Sequence, residues 1–371
     1  MQVSDIPVLN AQLLWGGFLL STLFGAIAQR THFCTMGAVS DVVNMGDWTR
    51  LRQWGLAAGI GMIGFGVMGY FGMVDPAKTL YASSRWMWLS ALVGGLLFGF
   101  GMVLASGCGS KTLVRVGGGS LKSLVVMVVL GLAAFATLKG ITAVVRVGSV
   151  DRVAIEAASG VTLPQLLGAA AGAKVAVVGL WLGLALGGGL VAWAFAGREF
   201  RSFDNLLAGI GIGAVVVLAW WLSAYLGHLE EHPETLQEAF LATNSGRAEA
   251  LSFVAPVAYS LDWLMFFSDK SKVLTLGVVS VAGVIVGSAV YAMSAGTFRW
   301  EGFGGTEDVA NHLAGAALMG VGGVTALGCT VGQGLSGIST LNATSFVAVA
   351  AIIAGAVAAF KYQIWRIDRL G

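Results

Sequence analysis

Apolar residues in this chain gather into runs of about twenty, the length an α-helix needs to cross a bilayer core, with short polar breaks between them. The pattern predicts nine spans, at roughly 11–29, 53–73, 86–106, 121–139, 166–196, 204–226, 273–294, 310–327 and 343–362. The fifth run exceeds a perpendicular crossing and predicts either a tilt or an interfacial turn at its start. Residues 140–165 alternate apolar and charged positions and are placed at the membrane interface, while 227–252 form the most polar loop. The expected fold is an all-α integral membrane protein with about nine transmembrane helices plus short re-entrant helices.

A repeat runs through the pattern. A displacement of 221 residues lays Gly94 on Gly315, Gly99 on Gly320, Gly101 on Gly322, Ala105 on Ala326, Gly107 on Gly328 and Cys108 on Cys329. Each copy is an apolar span, a Gly-Cys pair, a stretch rich in Gly, Ser and Thr, and a second apolar span. Four spans precede the fifth and four follow it, so the copies are expected to enter the membrane in opposite orientation. That is a common transporter plan, with the site between the repeats near the midplane. The single membrane domain then divides into a first half (1–160), a linking span (161–202) and a second half (203–371).

Three stretches break apolar spans with small and polar residues: Gln29–Gly37, Ser106–Thr112 and Gly328–Gly334. Irregular backbone at membrane depth is tolerated where protein buries it or where it lines a cavity. The glycines suit a tight reversal, and the Ser and Thr that follow suit the N-cap of a short helix. A helix starting at the midplane offers free N–H groups and a positive dipole to an anion. Each stretch holds one of the three cysteines, Cys34, Cys108 and Cys329. A thiol in apolar surroundings stays neutral, and its S–H is a weak donor that can hold an anion without repelling it. Weak contacts in succession suit passage, because the ion must leave as well as enter. The alternative for any one cysteine is a small hydrophobe in helix packing. Candidate substrate-binding residues are therefore Cys34, Cys108, Cys329, Gly107, Gly109, Gly328, Thr330 and Gln333, with possible electrostatic support from Arg30, Lys111 and Arg115. Those cations equally suit snorkelling anchors, as does Lys174 near a span end.

Composition fixes the solvent. Hydrophobic residues make up 57% of the chain and charged residues 11%, where a soluble protein carries about 25% charged. The 55 glycines favour close helix contact in lipid, and a net charge of +2 without a basic stripe excludes nucleic acid as a partner. The odd number of widely spaced cysteines forms no disulphide framework and no zinc spacing. The N-terminal MQVSDIPVLN lacks the basic residues of a cleavable signal peptide. With that terminus outside, twelve Lys and Arg, among them Arg50, Lys122 and Arg299, fall on the inner side and eight, among them Lys78 and Arg247, on the outer. This predicts an N-out, C-in orientation.

His228-Leu229-Glu230-Glu231-His232 has an H-x-x-E-H spacing, but Pro233 follows at once and the loop is simply acidic, with Glu230, Glu231, Glu234, Glu238 and Glu249. No metal site is expected there. Gly109-Ser110-Lys111-Thr112 lacks the glycine that a P-loop places before its lysine. No nucleotide motif or other cofactor site is present. No acid lies well inside a span; Asp41, Asp47, Asp262 and Asp308 sit near predicted ends.

The stretches QRTHFCTMGAVSD, GCGSKTLVRVGGGSLKSL and GCTVGQGLSGISTL resemble the signature segments of the YeeE/YedE sulphur-transport family, and the resemblance runs from about Gly17 to the last span. It implies an importer of thiosulphate or a similar sulphur compound in a bacterial inner membrane, with nine spans and re-entrant helices in two pseudo-symmetric halves. It implies that the three cysteines mark the substrate path, with Cys108 central and Cys34 and Cys329 to either side. Some members work with a sulphur-carrier protein bearing a Cys-Pro-x-Pro motif. None occurs here, so such a carrier would be a separate cytoplasmic chain. Other members are associated with selenium. Two further readings stay open: a membrane sulphurtransferase that forms a cysteine persulphide, and a passive small-anion channel.

Overall fold

The computed structural model describes residues 6–233 and 235–370; Met1–Asp5 of the N-terminal stretch, Glu234 of the acidic loop and Gly371 lie outside the described residues. The elements are α1 (Ile6–Thr31), α2 (Thr35–Met45), α3 (Thr49–Tyr70), α4 (Trp88–Leu104), α5 (Gly109–Gly117), α6 (Leu121–Lys139), α7 (Ile141–Gly148), α8 (Leu163–Ala171) and α9 (Val175–Ala196). There follow α10 (Phe203–Leu226), α11 (Val254–Met265), α12 (Leu276–Ser294), α13 (Thr306–Thr325), α14 (330–339) and α15 (Ala343–Leu370). Among the described residues the strands form two short antiparallel pairs, β1 (Arg85–Trp86) with β2 (Ile155–Glu156) and β3 (His228–Leu229) with β4 (Ala239–Phe240).

The chain is an all-α integral membrane protein. Among the described residues, seven stretches are long and apolar enough to cross a membrane. The other two expected spans are α3, of 22 residues, and α13, of 20, whose hydropathy is diluted by glycine and by the charges at their first turns. The long fifth run is two helices. The capping box of Thr162 and Gln165 starts α8, Gly172 at φ 63° ends it, and α9 begins after Lys174, so the interfacial turn is realised. The 140–165 stretch holds α7 and β2, both largely exposed. The fourth short helix, α11, has no counterpart among the predicted spans and breaks.

Apolar attraction is weak between helices in lipid, so packing is won by backbone approach at small residues. A Cβ placed on Gly94 would lie 2.7 Å from the Gly322 carbonyl oxygen, and one on Gly322 would lie 2.6 Å from that of Gly94. Gly101 and Gly315 oppose each other in the same way, each Cβ position 2.6 Å from the other's carbonyl oxygen. These are the residues that the displacement of 221 superposes, so α4 meets α13 through a self-complementary surface, as in a two-fold interface. The flanking pairs follow suit: Gly99 of α4 abuts the Ile352 carbonyl of α15, and Gly320 of α13 abuts the Leu130 carbonyl of α6. Elsewhere α1 packs on α12 through Gly25, Gly283 and Gly287, and α10 meets α3 at Gly213. The span α9 stands outside this arrangement and rests on α3 through the facing pair Gly59 and Gly187.

Gly101→Leu should drive a side chain into the α13 backbone and cost at least about 1–3 kcal/mol, the usual penalty of overpacking. Gly189→Ala, with open space around it, should be neutral or mildly stabilising. Thermal unfolding of detergent-purified protein, followed by size-exclusion chromatography, separates the two outcomes.

Candidate functional site

Each cysteine caps a short helix. The carbonyls of Cys34, Cys108 and Cys329 accept the first helical bonds of α2, α5 and α14, from the amides of Ala38 at 2.9 Å, Thr112 at 2.9 Å and Gln333 at 2.7 Å. The sulphur takes the capping position as well: Gly37 N–H donates to Cys34 Sγ and Gly332 N–H to Cys329 Sγ, both at 3.4 Å. Cys108 makes no such cap, and its Sγ lies 3.3 Å from Ser110 Oγ. The sequence pointed to Ser and Thr as caps, yet Thr35 and Thr330 are one residue too late and occupy the first helical turn. Sulphur is a weak acceptor, so the amides at these helix starts stay largely uncommitted.

The turns that lead into the cysteines share one geometry. Ser106 N–H bonds Val103 O at 3.1 Å and Gly107 N–H bonds Met102 O at 2.8 Å. The repeat reproduces both, from Leu327 to Val324 at 3.0 Å and from Gly328 to Gly323 at 2.8 Å. This is a Schellman ending, whose penultimate residue takes a left-handed conformation. Sequence reasoning assigned the reversals to glycine. Instead Ser106 (φ 56°) and Leu327 (φ 57°) carry them, as His32 (φ 52°) does two residues before Cys34. A non-glycine residue in that region is strained by roughly 1 kcal/mol or more, which the surrounding packing must hold.

The short helices converge. Cys34 and Cys108 are sulphur neighbours, the Thr330 hydroxyl lies beside Cys108, and the Phe253 amide at the start of α11 reaches Cys329. All three thiols are free and buried, Cys108 and Cys329 completely. Two expected site residues carry orphaned atoms. Among the described residues Thr330 Oγ1 has no hydrogen-bond partner, and Gln333 donates through Nε2 to Ala326 O at 2.6 Å while its Oε1 has none. The Thr35 hydroxyl and the Trp54 indole N–H are likewise unpaired, Trp54 being stacked on Phe33 at 4.6 Å. Buried polar atoms rarely go without partners, and these four cluster around the cysteine turns without lining either cavity. The walls of the site are fixed: Trp220 Nε1 donates to Ser339 Oγ at 2.9 Å, Ser336 Oγ to Leu251 O at 2.7 Å, and the Tyr81 hydroxyl to Gly332 O.

Two cavities approach this cluster from opposite ends of α12: Leu276 lines one and Tyr291 the other, roughly 22 Å apart at 1.5 Å per residue. The Tyr291 cavity, of about 810 Å³, is a basic vestibule. His32, Cys34, Arg50, Ser106, Lys111, Arg115 and Arg299 line it, with Glu301 as its acid. Glu301 is held by Lys122 at 2.6 Å and Arg50 by Asp41 at 3.3 Å. Arg30 lines the vestibule but binds Asp204 at 2.9 Å, so much of its charge is neutralised. Lys111 and Arg115 make no ion pair among the described residues. The Leu276 cavity, of about 180 Å³, is mostly apolar and ends at Leu327 and Gly328, against the Cys329 turn. Its wall holds Glu249, which sequence reasoning counted only as part of an acidic loop. Cys108 lies between the two cavities and opens to neither.

The remaining candidates place simply. Gly107 and Gly109 flank Cys108 at the reversal and the first turn of α5, and a Cβ on Gly109 would make only an ordinary contact with Val254 at 3.7 Å. His228 and His232 lie in a hairpin rather than on one helical face; His228 bonds Glu238 at 2.6 Å and stacks on Phe240. Among the described residues no group of three His, Cys, Asp or Glu side chains could hold a metal ion.

The chain is similar to the thiosulfate transporter TsuA of Spirochaeta thermophila, 27% identical over 360 residues that cover 92% of this chain and 97% of that protein. It is also similar to the thiosulfate transporter TsuA of Escherichia coli, 24% identical over 337 residues that cover 87% of each chain. The family model for sulphur transport matches residues 30–358, which take in all three cysteines and most of the lining of both cavities. The chain belongs to the sulphur transport family.

Proposed function

We propose that the protein imports a small sulphur-containing anion, thiosulphate above all, by handing it between weak donors at the starts of the short helices. The observation that carries this reading is the position of Cys108: sealed between two cavities, with Cys34 on one side and Thr330 of the Cys329 turn on the other. An anion from the Leu276 cavity meets the Cys329 turn, then Cys108, then Cys34, and leaves through the basic vestibule. At each step it trades one S–H and a set of helix-start N–H groups for the next. None of these donors is charged, so none holds the ion tightly. The orphaned Thr330 hydroxyl supplies a further donor beside Cys108.

The likeness to two thiosulfate transporters supports thiosulphate as the substrate. The cation excess around Lys111 and Arg115 supports a vestibule on the cytoplasmic side, and with it a reading with the N-terminus outside and the C-terminus in the cytoplasm of a bacterial inner membrane. The reciprocal glycine contacts support a working division into residues 1–160 and 203–371, with 161–202 as the link. A separate Cys-Pro-x-Pro carrier would meet the exit from the cytoplasmic face, where the basic rim suits an acidic surface.

Cys108→Ala should lower thiosulphate uptake into proteoliposomes by at least about tenfold, since losing a hydrogen bond to a charged group costs roughly 1.5–3 kcal/mol. The fold should survive, because the site needs only a small side chain. Cys108→Ser keeps a donor and should retain part of the uptake. No uptake by Cys108→Ser, together with sulphur added to Cys108 in the intact mass after exposure to thiosulphate, would establish the sulphurtransferase instead. Uptake that does not saturate and ignores both substitutions would establish a passive channel.

Lys111→Gln should slow uptake by about threefold to tenfold at low ionic strength, and the deficit should shrink as salt screens the vestibule. Arg30→Gln should do less, because Asp204 already offsets that charge. Initial rates at two salt concentrations test the ranking.

A further inference from the structure

We propose that Glu249 meets the anion in the outer cavity as an un-ionised carboxyl group, so that loading from this side takes up one proton. This rests on the import reading above, which makes the Leu276 cavity the entrance. The difficulty it resolves is one of sign. A negative substrate must pass a cavity whose wall carries a carboxyl group and no Lys, Arg or His.

The surroundings of Glu249 define the group. It lies in the loop between α10 and α11, three residues before Ser252 on the approach to Cys329. Ser245 Oγ donates to Glu249 Oε2 at 3.1 Å, and the Glu249 amide donates to Ser223 Oγ at 3.0 Å, which anchors the residue to α10. Among the described residues it has no cationic partner. The titratable side chains that face the cavity with it are Tyr81, from the segment after α3, and Tyr259 of α11, with Cys329 beyond the floor. The elements α1, α6, α10, α12 and α13 present only Gly, Ala, Ser, Leu and Val to it.

Burial pushes the Glu249 carboxyl up to about 7, against the smaller opposing effect of its hydrogen bonds from Ser245 and the Asn244 amide. Below that value it is neutral and can donate its O–H to an anion; above it, it is ionised and repels one. An arriving dianion raises the value further, so binding draws a proton from the outer solution onto the carboxylate. Once the anion has moved past Leu327, the group relaxes and returns that proton to the same solution. Anion and proton binding then favour each other by the same factor, as linkage requires.

The test is the dependence of KM on external pH in proteoliposomes, between about pH 6 and 8.5. For the wild-type protein, KM for thiosulphate should be flat at the acid end and rise by about tenfold per pH unit above the carboxyl's pKa, the slope for one linked proton. The maximal rate should change little. Glu249→Gln, which imitates the neutral form, should give a KM that is low and flat. Glu249→Asp should keep a pH-dependent KM. A pH dye in weakly buffered solution should report about one proton taken up per thiosulphate bound by the wild type at alkaline pH, and none by Glu249→Gln. A flat wild-type KM, or a Glu249→Gln variant that keeps the wild-type slope, overturns the proposal. If Glu249→Gln does not fold, binding without proton uptake by the wild type at alkaline pH overturns it equally. Saturable uptake with a flat KM sinks only the proton linkage. A wild-type protein with no thiosulphate uptake at any pH sinks the import reading, and this one with it.

Discussion

Backbone amides that begin a helix inside a membrane have nowhere to turn. Water is absent, lipid accepts nothing, and the first turn of every helix leaves its N–H groups without internal partners. This protein starts four helices, α2, α5, α11 and α14, near one another in its interior. A strong oxygen cap at each would satisfy those amides and leave the region inert. Two of the four have sulphur in that place at 3.4 Å, and α5 has no side-chain cap at all. The unmet demand for a hydrogen-bond acceptor is thereby concentrated at one point of the molecule, where a small anion can satisfy it. The unpaired hydroxyls of Thr330 and Thr35 belong to the same deficit.

Holding four helix starts together at depth requires a frame that does not yield. The frame is the backbone-to-backbone contact of α4 with α13, extended outward by α6 and α15. Glycine is what makes it stiff here: with no side chain between them, the helices touch through atoms that cannot change rotamer. The same contact sets the geometry of the turns, because the strained endings at Ser106 and Leu327 follow directly from the helices that the glycines lock. Strain of this kind persists only where neighbouring structure over-determines it.

Much of this was legible in the residues. The all-α membrane fold, the Gly-Cys repeat and the three breaks are written in hydropathy and in the spacing of Gly94, Gly101, Gly315 and Gly322, since a membrane demands long apolar helices and close contact demands glycine. What stayed hidden was hidden for physical reasons. The helix α11 follows Phe253 with no glycine and no cysteine to mark its start, and it is too short to register as a span, so nothing in the chain LSFVAPVAYSLDWLM singles it out. The capping role of sulphur could not be read because Ser and Thr, the usual caps, stand one residue further on. Glu249 looked like its neighbours Glu230, Glu231 and Glu238, and only the fold shows that the chain dives beneath the surface between Ser245 and Ser252. Arg30 looked like free charge until Asp204, 174 residues away, was found against it.

The two Schellman turns have one more consequence. Duplicated backbone geometry points Ser106 into the basic vestibule and Leu327 into the apolar cavity at the other end. The doubled architecture therefore offers a pair of doors of identical hinge but independent lettering, and mutation can rewrite one without disturbing its twin. What separates the two sides is the side chain each turn carries, while the main chain stays even-handed. Exchanging either side chain would leave the frame untouched, because the glycine contacts that hold it lie further back along the helices.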